Sequence, residues 1–432
     1  MKALTWSGLS ASERAQALER PTLQRSGELS ARVREILAAV RTGGDKALLD
    51  FTERFDGVRP GSLRVGKDEV EAALRQVEPA VLEAMREAIA RLELFHKAQL
   101  PPDLRIETTP GVLCERRHLP IARVGLYIPG GTAPLPSTVM MLGVPARIAN
   151  CPVRVLATPP RKDGSIDPHI LAAAYLLDIE HIYRAGGAQA IAALAYGTES
   201  IPKVDKIFGP GNSWVTEAKV QVAQDPRGAA LDLPAGPSEV LVIADAQANP
   251  AFVASDLLAQ AEHGPDSQVV LVSDSASLLE AATRELESQL ARLPRREIAA
   301  RALESSCTIL AGDLDQAFEI SNAYAPEHLI LQLANPRARL GQIQHAGSVF
   351  IGPYSPESVG DYSSGTNHVL PTYGFARAYS GVTTESFLKA ISFQELTADG
   401  LRRIGPGVEK LAAVEGLEGH KNAVMLRLRS LL

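Results

Sequence analysis

The chain has 432 residues, 44 basic and 50 acidic side chains, a formal charge of −6, and 45% hydrophobic against 22% charged residues. At roughly 150 residues per domain this is a globular protein of about two to four domains. The acidity argues against a nucleic-acid protein, which needs a basic face to release phosphate counterions, and an aromatic content of 5% argues against base-stacking platforms. Three cysteines, Cys114, Cys151 and Cys307, with no CxxC pair, exclude a disulfide scaffold and a thiolate zinc finger.

From the start of the chain, the first twenty residues lack an apolar core of the kind a secretory signal needs. The apolar run Ile170 to Leu177 falls far short of the ~18 residues of a membrane span, so a cytoplasmic protein with no membrane partner is expected. Leu29, Val33, Ile36, Leu37 and Val40 recur at helical spacing, and a second stripe runs from Asp68 to Leu100 until Pro101–Pro102 stops it. The texture then changes. Residues 123–128, 153–157, 181–183, 206–208, 239–244 and 268–273 read as short apolar strands separated by helical stretches such as 169–177. That alternation implies a mostly parallel sheet covered on both faces. From about Val382 the pattern is helical again, broken by the polar loop 416–421.

Three constellations have chemical content. The glycine turns Pro129-Gly-Gly131, Gly186-Gly187 and Gly209-Pro-Gly-Asn212 each follow an expected strand and precede a helix, where backbone N–H groups can approach a phosphate. One such turn needs no ligand; several in one sheet point to a nucleotide. The GxGxxG fingerprint is absent, because the sixth position after Gly209 and Gly211 is Trp214. Gln260 and His263 stand three apart at an expected helix end, on one face and able to meet one ion, with Glu262 turned away. Asp361 and His420 lie in glycine-rich polar stretches read as loops. Such N/O donors suit zinc, and equally manganese or cobalt. Glu327 and His328 are adjacent after a turn proline, so in extended chain they face different ways and can move two protons on one substrate.

Asp232-Leu-Pro-Ala-Gly-Pro-Ser-Glu-Val240, followed by Gln260-Ala-Glu-His-Gly264, resembles the signature of the histidinol dehydrogenases. Gly43–Asp50, Gly125–Gly131, Gly209–Asn212, Ala325–Leu329, Gly360–Pro371 and Glu415–His420 match in the family's order and span nearly the whole chain, while the first 25 residues match little.

The resemblance implies an α/β fold of two incomplete Rossmann-like domains with mostly parallel sheets and small helical segments at both ends. The expected division is a helical segment 1–25, a first domain of 26–126 with 239–381 carrying the metal and catalytic residues, a second, NAD-side domain 127–238, and a helical segment 382–432. The resemblance further implies NAD-dependent four-electron oxidation of L-histidinol to L-histidine through the aldehyde. It implies one zinc per subunit on Gln260, His263, Asp361 and His420, with Glu327 and His328 moving protons. Around the substrate it places Ser238, His368 and Glu415 beside those six residues, and near NAD it places Tyr127, Gln189 and Asn212. It implies a homodimer in which the segment bearing Glu415 and His420 completes the partner's site.

Two alternatives follow from the residues alone. A metal-dependent hydrolase or lyase would use the same ligands with Glu327 on water; a non-catalytic nucleotide-binding protein would leave the His and Asp residues scattered. Within the dehydrogenase reading, a thiohemiacetal route would need a thiolate at Cys114, whose neighbours are Arg116, Arg117 and His118, or at Cys151.

Overall fold

A computed structural model describes residues 1–20, 27–130, 134–234 and 236–431. Gly131 and Ala235 of the motifs above, and residues 21–26, lie outside the described residues. Two parallel sheets organise the chain. The first has six strands in the order Lys2–Thr5, Cys307–Leu310, Gln268–Ser273, Glu239–Ala244, His328–Gln332, Ser348–Ile351. The second has five, in the order His181–Arg184, Val153–Thr158, Arg123–Tyr127, Lys206–Phe208, Ala230–Leu231. This is the expected α/β architecture.

The strands form where the sequence is continuously apolar. Glu239–Ala244, Gln268–Ser273 and His328–Gln332 are buried at every position, as parallel strands covered on both faces must be. Alternation sends Val240, Val242 and Ile330 to the face covered by helices Pro250–Ala261, Ala276–Leu290 and Arg296–Glu304. Leu241, Ile243, Leu329 and Leu331 pack on the other face, under the helix Leu314–Tyr324.

The structure differs from the sequence reading in four places. Residues 26–126 were expected with the first domain, but their helices pack on the five-stranded sheet. Helix Gly27–Asp56, kinked at Gly44, buries Val33, Ile36 and Val40 against Val155, Ala157 and Tyr183. Helix Pro79–Lys97 buries Met85, Ile89 and Leu92 in the cluster of Val124 and Leu126. A boundary at 126/127 also cuts the strand Arg123–Tyr127. An apolar stripe says that a face is buried, not against which sheet. The N-terminal segment opens with a strand, Lys2–Thr5, on the edge of the six-stranded sheet, before its helix Ala11–Ala17. The stripe 68–100 is two helices, Lys67–Leu74 and Pro79–Lys97, parted where Pro79 forces a restart.

The stretch from Val382 is not helical at first. Leu388–Leu396 is a strand, paired antiparallel with Val112–Pro120, which pairs in turn with Leu104–Thr109. Helices Ala398–Val414 and Glu418–Arg429 follow. Among the described residues no helix is long and apolar enough to cross a membrane.

Candidate functional site

His328 is the first residue of its strand, in register with Val240 and Ser348. Its position in the alternation turns it to the face covered by Pro250–Ala261, the helix whose end carries Gln260 and His263. Its Nδ1 lies 3.1 Å from the main-chain oxygen of Glu239. A carbonyl only accepts, so Nδ1 carries the proton and Nε2 the lone pair. Nε2 is buried with no hydrogen-bond partner among the described residues. Burial pushes the ring down to about 3, so it is neutral. The result is a neutral imidazole held in one tautomer.

Glu327 is 5% exposed. Its Oε2 accepts the Glu239 N–H (2.9 Å), and its own N–H donates to Glu239 Oε1 (3.2 Å). Burial holds its carboxyl well above the usual range, and the charges of Glu239 and Asp361 add to that effect.

Glu239 thus fixes both members of the pair, a role that sequence reasoning missed. It is fixed in turn by Arg20, whose guanidinium donates to both Glu239 oxygens (2.5 and 2.8 Å) and to Tyr324 O (2.7 Å) while stacking 3.9 Å above the Tyr324 ring. The pair is almost dry, at 11% and 2% side-chain exposure. Arg20→Ala strands the Glu239 charge, and the expected loss of stability is about 3–5 kcal/mol. Urea denaturation measures it; a loss below about 1 kcal/mol would show that the charge has another partner.

Gln260 closes the helix Pro250–Ala261, fully buried, and His263 follows at the exposed rim. Asp361 sits in the short helix Glu357–Tyr362 rather than in a loop. Burial pushes it up to about 7. One ligand atom each of His263, Glu357 and Asp361 lie within 4.8 Å of one another, a spacing that fits a single divalent cation with nitrogen and oxygen donors. Glu357 had not been singled out, although its i, i+4 spacing to Asp361 would have marked it had the segment been read as helix.

His368 is half-buried beside this cluster. Its Nδ1 bonds the Asp361 main-chain oxygen (3.1 Å), its Nε2 lies 3.4 Å from Thr138 Oγ1, and burial pushes it down to about 4. Ser238 stands half-buried just before the strand Glu239–Ala244, its carbonyl taking the Gln268 N–H. Glu415 and His420 are not brought to the cluster. Glu415 caps the end of Ala398–Val414 and His420 lies in Glu418–Arg429, a helix and not the expected loop; both are exposed. No hydrogen bond or ion pair among the described residues joins either to the site.

The second sheet carries a cavity of about 710 Å³ lined by Tyr127, Gln189 and Asn212 together with Asp56, Arg161, Lys162 and Trp214. It lies at the carboxyl ends of the strands where their order reverses, between Arg123–Tyr127 and Lys206–Phe208. Tyr127 Oη accepts the Gly187 N–H (3.1 Å), and Asn212 caps the helix Ser213–Gln224 by accepting from Trp214 and Val215. The turn into that helix needs glycine: Gly209 has φ +125°, and a Cβ there would overlap Tyr127 O. Lys219 donates to Gly209 O (2.9 Å), and Asp232, paired with Lys219, accepts the Gly209 N–H (2.8 Å), so the turn is held from both sides. The starts of the helices Gly187–Tyr196 and Ser213–Gln224 beside Arg161 and Lys162 suit a dinucleotide's phosphates.

The thiols are elsewhere. Cys151 is buried and pushed up to about 11 by that burial. Cys114 pairs with Gln394 and Ile106 in the antiparallel sheet, where Glu115 and Arg117 alternate to the other face and bond each other.

Comparison with known proteins agrees along the whole chain. Residues 18–428 match the family model described as histidinol dehydrogenase. The chain is 56% identical over 428 residues to a histidinol dehydrogenase of Xanthomonas campestris, covering 99% of each, and 53% identical over 431 residues to that of Vibrio cholerae, covering 100% and 99%. A crystal structure of histidinol dehydrogenase from Elizabethkingia anophelis superposes with a TM-score of 0.95 at 48% identity, covering 100% of this chain and 98% of that one.

Proposed function

The chain belongs to the histidinol dehydrogenase family, and from that membership we propose that it oxidises L-histidinol to L-histidine with NAD, in two steps through the aldehyde, in the cytoplasm. The observation that carries the mechanism is the buried, unpartnered Nε2 of His328 beside a cluster of nitrogen and oxygen donors.

Gln260, His263 and Asp361 hold zinc, with His420 of the partner subunit as the fourth ligand. Zinc, when bound, would orient the substrate by accepting its nitrogen donors. Tyr127, Gln189 and Asn212 hold NAD, which accepts hydride when bound. His328 Nε2 takes the hydroxyl proton in the first oxidation. Glu327 then activates the water that turns the aldehyde into its hydrate, the raised affinity of its carboxylate for protons making it the stronger base. His328 acts again as the hydrate is oxidised. His368, Ser238 and the partner's Glu415 line the substrate's place. The six-stranded sheet thus carries the chemistry and the five-stranded sheet the dinucleotide.

The need for a partner is supported by an uncovered apolar surface. Leu119, Ile391 and Phe393 on one face of the antiparallel sheet and Leu411 and Val414 of the following helix are exposed in the single chain. A symmetric dimer would cover them and bring the C-terminal helices to the partner's cluster.

Glu327→Gln tests the division of labour. It is expected to slow oxidation of supplied histidinol far more than oxidation of pre-formed aldehyde hydrate, followed by nicotinamide absorbance. If both rates are untouched, the assignment is wrong. A hydrolase using the same ligands would turn over substrate with no absorbance change at all.

A further inference from the structure

Glu357 is a buried carboxylate that the mechanism leaves without a task. It opens the helix Glu357–Tyr362 and is 1% exposed. Its contact with the His328 ring is long, 3.9 Å from Oε1 to Nδ1, and the Nδ1 proton is already given to Glu239 O. Its hydrogen-bond partner is Gln260, which is fully buried. With donors facing acceptors, the Gln260 NH2 donates to Glu357 (2.9 Å to Oε2), and the Gln260 oxygen shares the Glu239 N–H (3.0 Å) with Glu327 Oε2. The reverse orientation would set that oxygen against a carboxylate and the NH2 against an N–H donor, in a fully buried place. An amide oxygen has two lone pairs; the Glu239 N–H takes one, which leaves one to offer a cation.

We propose that Glu357 is a positioning residue of the cation site, gripping the Gln260 NH2 so that the Gln260 oxygen stays turned to the ion. The inference rests on the reading that Gln260, His263 and Asp361 hold zinc. A carboxamide is a neutral, weak ligand on a side chain with three rotatable bonds. A carboxylate bonded to its NH2 removes that rotational freedom and shifts electron density onto the oxygen, as carboxylates behind metal-bound histidines do.

The test is Zn(II) affinity of the full-length protein, read by competition with a chromophoric chelator. The forms compared are the parent, Glu357→Leu, Glu357→Gln, Gln260→Ala and the double variant Glu357→Leu/Gln260→Ala. Glu357→Leu is expected to weaken Zn(II) binding about 10- to 100-fold. Glu357→Gln, which keeps an acceptor oxygen, is expected to lie between Glu357→Leu and the parent. In the Gln260→Ala background Glu357→Leu is expected to change affinity by less than about threefold, since the residue it acts through is gone. Unchanged affinity in Glu357→Leu would overturn the proposal. So would equal losses in both backgrounds, which would make Glu357 a ligand in its own right. Thermal melting of the metal-free forms checks the fold; if Glu357→Leu does not fold, Glu357→Gln takes its place in the cycle with the same two criteria. A parent that binds no Zn(II) sinks the zinc reading itself, and the inference with it.

Discussion

His328→Asn should lower kcat on histidinol by about a hundred- to ten-thousandfold, the range for losing a general base. Asparagine can keep the bond that Nδ1 makes to Glu239 O while removing the lone pair at Nε2. The strand and its register should therefore survive, and KM for histidinol should move little, because the substrate's nitrogens are held elsewhere. The loss should apply equally to histidinol and to the aldehyde hydrate, since one base serves both oxidations. That common loss separates His328 from Glu327, whose replacement should spare the hydrate. Steady-state assays with each substrate decide the matter. A fall in kcat of less than about tenfold on both would mean that the proton leaves by another route.

The second large effect concerns the residues that one chain fails to bring together. His263→Ala and His420→Ala homodimers should each be nearly inactive. Co-expressed under two different tags and purified as the mixed dimer, they should regain about half the parent activity, because one of the two shared sites is then intact. A mixed dimer as inactive as its parents would place His420 in its own chain's site. The exposed apolar face of the antiparallel sheet and C-terminal helices makes the shared arrangement the expected one.

The sequence was most legible where a single physical signal dominates. The strands Glu239–Ala244 and Gln268–Ser273 hold the apolar runs 240–244 and 269–272, and they fold as buried parallel strands. The cavity with Tyr127, Gln189 and Asn212 was foreshadowed by glycine turns after strands and follows the rule that ligands sit at carboxyl ends where strand order reverses. Glu327 and His328 break that rule. They lie at the amino end of their strand, together with Ser238 and Glu239, so topology alone would have looked at the wrong edge. Only the motif pointed there.

The antiparallel sheet was missed because its strands are mostly exposed. Ile391 and Phe393 do alternate with Ser392 and Gln394, a period-two pattern overshadowed by the helical run that follows. Glu357 was missed because its segment was read as loop, which hid its i, i+4 spacing to Asp361. Glu239 was missed for a different reason: it acts by bonding other groups rather than by its own chemistry, and such a role leaves no spacing signature.

The most direct test of the account is the stoichiometry of the full reaction, followed at the nicotinamide band before and after removal of metal by a chelator. Two NADH should form per histidine produced from histidinol, with the reaction abolished by chelation and restored by Zn(II). One NADH per molecule of substrate with the aldehyde released, or an undiminished rate in the chelated enzyme, would contradict it.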